Sequence, residues 1–370
     1  MIRVLSVFGT RPEAIKMAPV VRALRAAPGR FESLVCVTAQ HRTMLDQVLE
    51  VFDLTADVDL DLMVPGQSPA GIAAGILDRL PELLRRVRPD VVLVQGDTVT
   101  TFAAAFAAFL ERVPTGHVEA GLRTGDRWQP FPEEMNRVLT TRIAALHFAP
   151  TPAARDALLA EGIASSDVYL TGNTVIDALL QTVRADYRFR TPTLAALDPA
   201  RRVVLVTTHR RESFGAPLRS TCAALRELAG RFPELQFVLP VHPNPEVKRV
   251  VEELLCDLQG MHLIPPVDYL EFVHLMARAD LVLTDSGGVQ EEVPSLGKRV
   301  LVLREVTERP EGVVAGTAVV VGTDRDRIVS TASELLTSPA AYARMANAVN
   351  PYGDGRATER IVAALADRFG

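Results

Sequence analysis

Short apolar segments separated by longer stretches of helical periodicity recur from the first residues of this chain almost to the last. Segments at 4–8, 34–38, 91–95, 115–118, 146–149, 203–207, 236–240 and 281–284 read as strands. Most are continuous apolar runs rather than alternations, the pattern of a strand buried on both faces. Between them, stretches such as 14–27 and 69–86 gather their apolar residues on one helical face. The regular exchange of the two patterns predicts the α/β class, with parallel sheets covered by helices. The chain then begins again. RVLSVFGTRPE at 3–13 is echoed by RVVLVTTHRRE at 202–212, with a strand of equal length, a threonine turn, a basic cluster and a glutamate opening a helix. The echo predicts two Rossmann-like domains facing a cleft, with the polar region 191–202 near the hinge. In such pairs ligands bind at the carboxyl ends of the strands.

One of those strand ends, LVLTDSGGVQEE at 281–292, has the makings of a phosphate site. The strand stops at Asp285, turns through Ser286, Gly287 and Gly288, and opens a helix carrying Glu292. Glycine at both turn positions lets the backbone come close to an anion, and the unpaired amides at the helix start point at it. Glu292 lies about one turn further on, placed to accept from paired hydroxyls as an acidic residue does on a ribose. Tight packing alone also puts glycine pairs at such turns.

Three carboxylates fall where other strands end. Asp97 follows VVLVQG, Glu119 follows PTGHV, and Glu133 stands in PFPEEMNR, which reads as a helix start after Pro130 and Pro132. In a parallel sheet all three converge on one edge. Carboxylates gathered in a cleft raise one another's proton affinity, so that one serves as base while another stays protonated. The ordinary alternatives are an N-cap for Asp97, a helix-terminus charge for Glu133 and a turn residue for Glu119. Basic residues gather at the same level: Arg11 and Lys16 at the first turn, His209, Arg210 and Arg211 at its echo, and Arg309 in TERPEG. Positive charge at a helix N-terminus is electrostatically unfavourable, and a bound anion accounts for it.

Composition narrows the class. A chain of 370 residues is too long for one ordinary core, so two domains are expected. A net charge of -5 and a pI near 5.9 give no reason to expect nucleic acid or an anionic membrane as partner. Cys36, Cys222 and Cys256 form no CxxC pair, which suits inert core residues in a reducing, cytoplasmic compartment. The chain runs from Arg3 straight into a strand, so no signal peptide is expected, and the apolar run 102–110 is about half a membrane span. Neither GxGxxG nor GxxxxGK(S/T) occurs, which argues against a tightly held nicotinamide or an ATP engine. VDLDL at 58–62 reads as alternating acids on an exposed edge strand rather than a metal-binding DxD. The seven histidines are scattered, and no metal or other cofactor is expected.

The motifs GTRPEAIKMAP, TAQHRTMLDQVL, QGDTVTTFA, GHVEAGLRTGD with PFPEEMNR, TGNTVIDAL, THRRESFG, TDSGGVQEE, PSLGK, TERPEG and NPYGDG occur in this order across essentially the whole chain. Together they resemble the non-hydrolysing UDP-N-acetylglucosamine 2-epimerases. The resemblance implies a two-domain fold of the glycosyltransferase-B type, with residues 1–172 and a C-terminal helix 354–370 in one domain and 173–353 in a UDP-binding second. It implies a cytoplasmic homodimer that interconverts UDP-GlcNAc and UDP-ManNAc without a redox cofactor or metal, by elimination of UDP to a 2-acetamidoglucal and re-addition. Asp97, Glu119 and Glu133 match the family's acid/base carboxylates, and His209 a histidine near the phosphates and reacting sugar. Arg11, Lys16, Arg137, Phe272, Ser286, Gly287, Gly288, Glu292 and Arg309 fall where the family binds UDP and sugar. By the same resemblance Phe272 flanks the uracil.

The resemblance breaks at one place. Many bacterial members bind a second UDP-GlcNAc as activator, and Gln40, Arg210 and His242 resemble residues of that site. Thr43 stands where a glutamine is expected, however, and Gly66 where an arginine is expected. Each missing hydrogen bond is worth about 1 kcal/mol or more, so weak or absent activation is expected. A UDP-sugar glycosyltransferase, a hydrolysing epimerase and a 2-epimerase for another UDP-2-acetamido sugar are the alternatives left open by the motifs.

Overall fold

The computed structural model describes residues 1–38, 42–62, 66–208, 210 and 213–370. It has two compact units, Met1–Gln181 with Tyr352–Gly370, and Thr182–Pro351. In the first, β1 (Ile2–Phe8), β2 (Phe31–Val37), β3 (Val58–Asp59), β4 (Val91–Gln95), β5 (Thr115–Val118), β6 (Leu146–Ala149) and β7 (Val168–Leu170) form one sheet in the order β3-β2-β1-β4-β5-β6-β7. In the second, β8 (Val203–Thr207), β9 (Gln236–Pro240), β10 (Met261–Ile264), β11 (Leu281–Thr284), β12 (Arg299–Val302) and β13 (Ala318–Val320) run β10-β9-β8-β11-β12-β13. Every strand pair recorded is parallel.

The two orders share one pattern: the first strand lies inside the sheet and the chain winds outward on both sides of it. The echoed segments supply those equivalent strands, β1 and β8. Reversal of winding direction beside the first strand creates a switch point, where loops at the carboxyl ends diverge and leave room for a ligand. Each unit thus gets its site from β1 and β4, or from β8 and β11.

The strands are buried because their side chains are apolar on both faces: Val4, Leu5, Val7 and Phe8 of β1 and Val91 to Val94 of β4 are fully covered. The helix Val99–Leu110 presents Ala103, Ala104, Ala107 and Ala108 to the sheet, and small side chains there let it lie close. Residues 173–181 and 352–353, expected in the second domain, pack with the first unit. Asn173 N–H bonds the Tyr352 carbonyl at 2.7 Å, and Asp177 takes the amides of Ala357 and Thr358. Those bonds tie the final helix, Ala357–Phe369, to the first unit.

Cys36 and Cys222 are buried as expected, but Cys256 is exposed, because it caps the end of Pro245–Leu255 instead of lying on its apolar face. Of VDLDL only Val58–Asp59 form the edge strand β3; the chain then leaves the sheet, with Asp59 accepting the Asp61 amide at 2.8 Å.

Candidate functional site

In the first unit, the chain leaves β4 through Gly96, whose φ of +74° turns it sharply, and arrives at Asp97. The next residue, Thr98, is the N-cap of Val99–Leu110, its hydroxyl accepting the Thr101 amide at 3.2 Å. Asp97 is therefore not the cap that the sequence allowed. Its carboxylate instead meets the Arg137 guanidinium at 2.9 Å. The Asn136 side-chain amide donates to the Asp97 carbonyl at 2.9 Å, so one helix, Glu133–Ile143, grips both ends of the residue.

Burial chiefly, with Glu119 and Glu133 and against the pull of Arg137 and Lys16, brings the Asp97 carboxyl up to about 6. The side chain keeps 31 % of its surface exposed, so solvent and solute still reach it. A carboxyl poised there exchanges its proton near neutral pH, as a general acid/base requires. Glu133 opens its helix, so it is a first-turn acid as well as a neighbour of Asp97.

Glu119 follows β5 with φ of +65°, a conformation strained for a side chain with a Cβ and often found where position matters more than stability. It is buried, and donors surround it. Lys16 Nζ lies 2.7 and 2.6 Å from its two oxygens, Asn173 Nδ2 donates at 2.8 Å, and Gln95 Nε2 donates to Oε2. Four donor contacts from three side chains fix the direction in which this carboxylate points. Lys16 and Arg137, which the sequence assigns to the substrate, thus already hold Glu119 and Asp97. Arg11 is the first residue of Arg11–Arg25, at the positive end of that helix.

In the second unit, Asp285 ends the run of β11 fully buried, taking the Arg210 amide and the Ser213 hydroxyl, each at 3.0 Å. Ser286 is the N-cap of the short helix Gly287–Glu292, with its hydroxyl not used as a cap. A Cβ on Gly287 would stand 3.8 Å from the Arg309 guanidinium and 3.9 Å from that of Arg210. Two cations therefore flank the first amides of the helix, which suits an anion. Arg309 is aimed by an ion pair with buried Glu291, and its amide donates to Thr307 at 3.0 Å. Arg210 also meets Glu308 at 3.2 Å. Burial pushes the Glu308 carboxyl up, but Arg210, Arg304 and Arg309 outweigh it and hold it below the ordinary range. Glu292 is buried, and Phe272 is half-buried on Tyr269–Arg278.

Of the residues expected at an activator site, Gln40 lies outside the described residues, as do the catalytic candidate His209 and the side chain of Thr43. His242 accepts the Asn244 amide at 3.2 Å through Nδ1. Gly66 is exposed with φ of +74°.

Sequence reasoning missed Gln95 and Asn173, which hold the Glu119 carboxylate, and Asn136, which holds the Asp97 backbone carbonyl. It also missed Glu13. That residue takes the amides of Gly9 and Thr10 at 3.0 and 2.7 Å and the Thr98 hydroxyl at 2.6 Å, joining the turns after β1 and β4. The T-x-x-E spacing in GTRPE, a capping box, was the available signal.

A family model described as UDP-N-acetylglucosamine 2-epimerase matches residues 22–366. The UDP-N-acetylglucosamine 2-epimerase of Yersinia pestis is 53% identical over 371 residues, covering 98% of this chain and 98% of that protein. The Bacillus subtilis (strain 168) protein of the same name is 50% identical over 369 residues, covering 100% and 96%. Among solved structures, the UDP-GlcNAc 2-epimerase of Neisseria meningitidis bound to UDP-GlcNAc is similar with a TM-score of 0.88 at 46% identity, covering 99% of this chain and 100% of that one.

Proposed function

This chain belongs to the UDP-N-acetylglucosamine 2-epimerase family, and from that premise we propose how its residues divide the reaction. The reaction is the reversible inversion of C2 in UDP-GlcNAc, giving UDP-ManNAc. The hydrogen on C2 has no adjacent carbonyl to make it acidic. Breaking the anomeric C1–O bond first solves this: UDP departs with the bonding electrons, positive charge develops at C1, and the C2 proton becomes labile. Its loss to a carboxylate leaves a 2-acetamidoglucal. Delivery of a proton to the other face of C2 and return of a UDP oxygen to C1 complete the epimer, with no net change in protons or electrons.

The turn at Ser286, Gly287 and Gly288, with Arg309, holds the diphosphate and stabilises charge on the departing oxygen. Glu292 takes the ribose hydroxyls and Phe272 flanks the uracil. Asp97, Glu119 and Glu133 share the proton transfers at the two faces of C2, Glu119 in company with the Lys16 ammonium. His209 joins the set on the family resemblance alone. What carries this reading is the Asp97 carboxyl, exposed enough to be reached and raised to about 6 beside two other carboxylates.

The proposal extends to a cytoplasmic homodimer. Exposed Trp128 and Phe131, whose rings stack 5.7 Å apart on the first unit, support self-association. Among the described residues no helix is long and apolar enough to cross a membrane. Sedimentation at micromolar concentration tests the dimer, and a monomer contradicts it.

Proton NMR of the purified protein with UDP-GlcNAc in deuterated buffer tests the whole reading. Deuterium at C2 of both UDP-sugars is expected. Release of free sugar would show a hydrolysing enzyme, transfer to an added acceptor a glycosyltransferase, and no reaction until the sugar is changed a 2-epimerase of other specificity.

A further inference from the structure

Two residues before Glu119, His117 lies on β5 with none of its surface exposed. Its Nε2 is 2.7 Å from the carbonyl oxygen of Gly96. A carbonyl only accepts, so Nε2 carries the proton and the ring is the donor. The other nitrogen, Nδ1, is buried without a hydrogen-bond partner. An unmet buried acceptor is unfavourable, and a purely apolar residue would avoid it. Something must compensate for keeping an imidazole here.

The compensation lies in what Gly96 holds. The residue before it, Gln95, reaches Glu119 with its side chain, and the residue after it is Asp97. Gly96 N–H also bonds the Val118 carbonyl at 2.9 Å, so β5 grips the glycine from both sides, by backbone and by imidazole. Gly96 has φ of +74°, a shape that the backbone holds weakly unless its neighbours determine it. We propose that His117 is a positioning residue for C2 epimerisation: its Nε2–H fixes the Gly96 carbonyl and so the turn that presents Asp97 beside Glu119.

The titratable groups bearing on His117 are His147, its register partner on β6, with Arg123 and Glu119. Burial chiefly, with His147 and Arg123, drives its pKa down to about 3, against the opposing pull of the Gly96 carbonyl and Glu119. The ring therefore stays a neutral, one-way donor across the range in which Asp97 exchanges its proton.

The proposal deepens the reading of Asp97 as proton carrier and rests on it. Its test compares His117→Met, which fills the space without a donor, with His117→Gln, whose Nε2 can reach the same carbonyl. The Met variant is expected to lose about a hundredfold in kcat, the scale of a misplaced reacting group, with KM for UDP-GlcNAc changed less than about threefold. The Gln variant is expected to recover at least about tenfold of that loss, and the acid limb of its pH–rate profile to return to the parent position. Parent-like kcat in the Met variant, or a folded Gln variant no better than Met, overturns the proposal. Nitrogen-15 NMR of the unmodified protein needs no variant: His117 is expected as the Nε2–H tautomer, unchanged from about pH 5 to 8. An Nδ1–H tautomer or a titration in that range overturns it. The two readings fail separately. Parent-like turnover in Asp97→Asn removes the proton carrier itself, whereas failed rescue with an inactive Asp97→Asn removes only His117.

Discussion

The turn after β4 and the turn after β11 occupy corresponding places in sheets wound the same way, yet they are finished with opposite chemistry. After β4, side chains from Arg137, Gln95, Lys16 and Asn173 converge on two carboxylates, and burial raises the proton affinity of one. After β11, two glycines expose backbone amides while Arg210 and Arg309 stand over them, with acids set behind to aim them. The scaffold specifies where a ligand is met, and the few residues that follow the strand specify whether protons are moved there or negative charge is held.

That contrast predicts different failures when each turn is damaged. The largest effect belongs to the carboxylates: Glu119→Gln or Glu133→Gln is expected to cut turnover by at least about a hundredfold with UDP affinity nearly unchanged in calorimetry. A variant with near-normal turnover would remove that residue from the proton-transfer set. Next comes the cation over the glycines. Arg309→Ala is expected to weaken UDP about tenfold or more, since a charge-assisted contact is worth about 1.5–3 kcal/mol; unchanged UDP affinity would separate this turn from the diphosphate.

The pH dependence sharpens the comparison. With Asp97 raised to about 6 in the free protein, kcat/KM should fall on the acid side through that value, and a flat profile from pH 5 to 8 would contradict the assignment. Stability should move the other way. A carboxyl whose folded pKa is raised favours the folded state fully only below its unfolded pKa, near 3.8, and that advantage is lost as pH rises through about 6. Asp97→Asn should therefore raise Tm relative to the parent more at pH 8 than at pH 5, by a few degrees at most, because Arg137 loses its partner at both. An equal change at both pH values would mean that the carboxyl is not strained.

The smallest effect expected is at the activator position. Without a phosphate-pairing side chain at Gly66, trace UDP-GlcNAc should leave UDP-ManNAc turnover essentially unstimulated; a steeply sigmoidal rate against UDP-GlcNAc would contradict this. Simply restoring Gly66→Arg is not a clean test, since φ of +74° disfavours a side chain there.

Much of this was legible in the sequence because strand ends are local. The run into Asp285 and the glycines after it show the second turn directly, and the two echoed segments give the equivalent central strands. At Asp97 the sequence left two readings open, cap or chemistry, and Thr98 decided between them by taking the cap. The partners of Glu119 were not legible. Gln95 is 24 residues away and Asn173 is 54, and no spacing rule joins them. The missed strands have physical reasons too. β7, β10 and β13 are short, partly exposed edge strands, and β12 opens with Arg299, which looks exposed in sequence but is buried against the Tyr342 ring.

The measurement that bears most directly on this division of labour is deuterium uptake at C2 of UDP-GlcNAc by the Asp97→Asn protein, made in heavy water at saturating substrate with UDP affinity determined on the same sample. Uptake slowed by at least about a hundredfold with UDP bound as in the parent is the expected result. Uptake at the parent rate, or loss of UDP binding in step with it, would contradict the account.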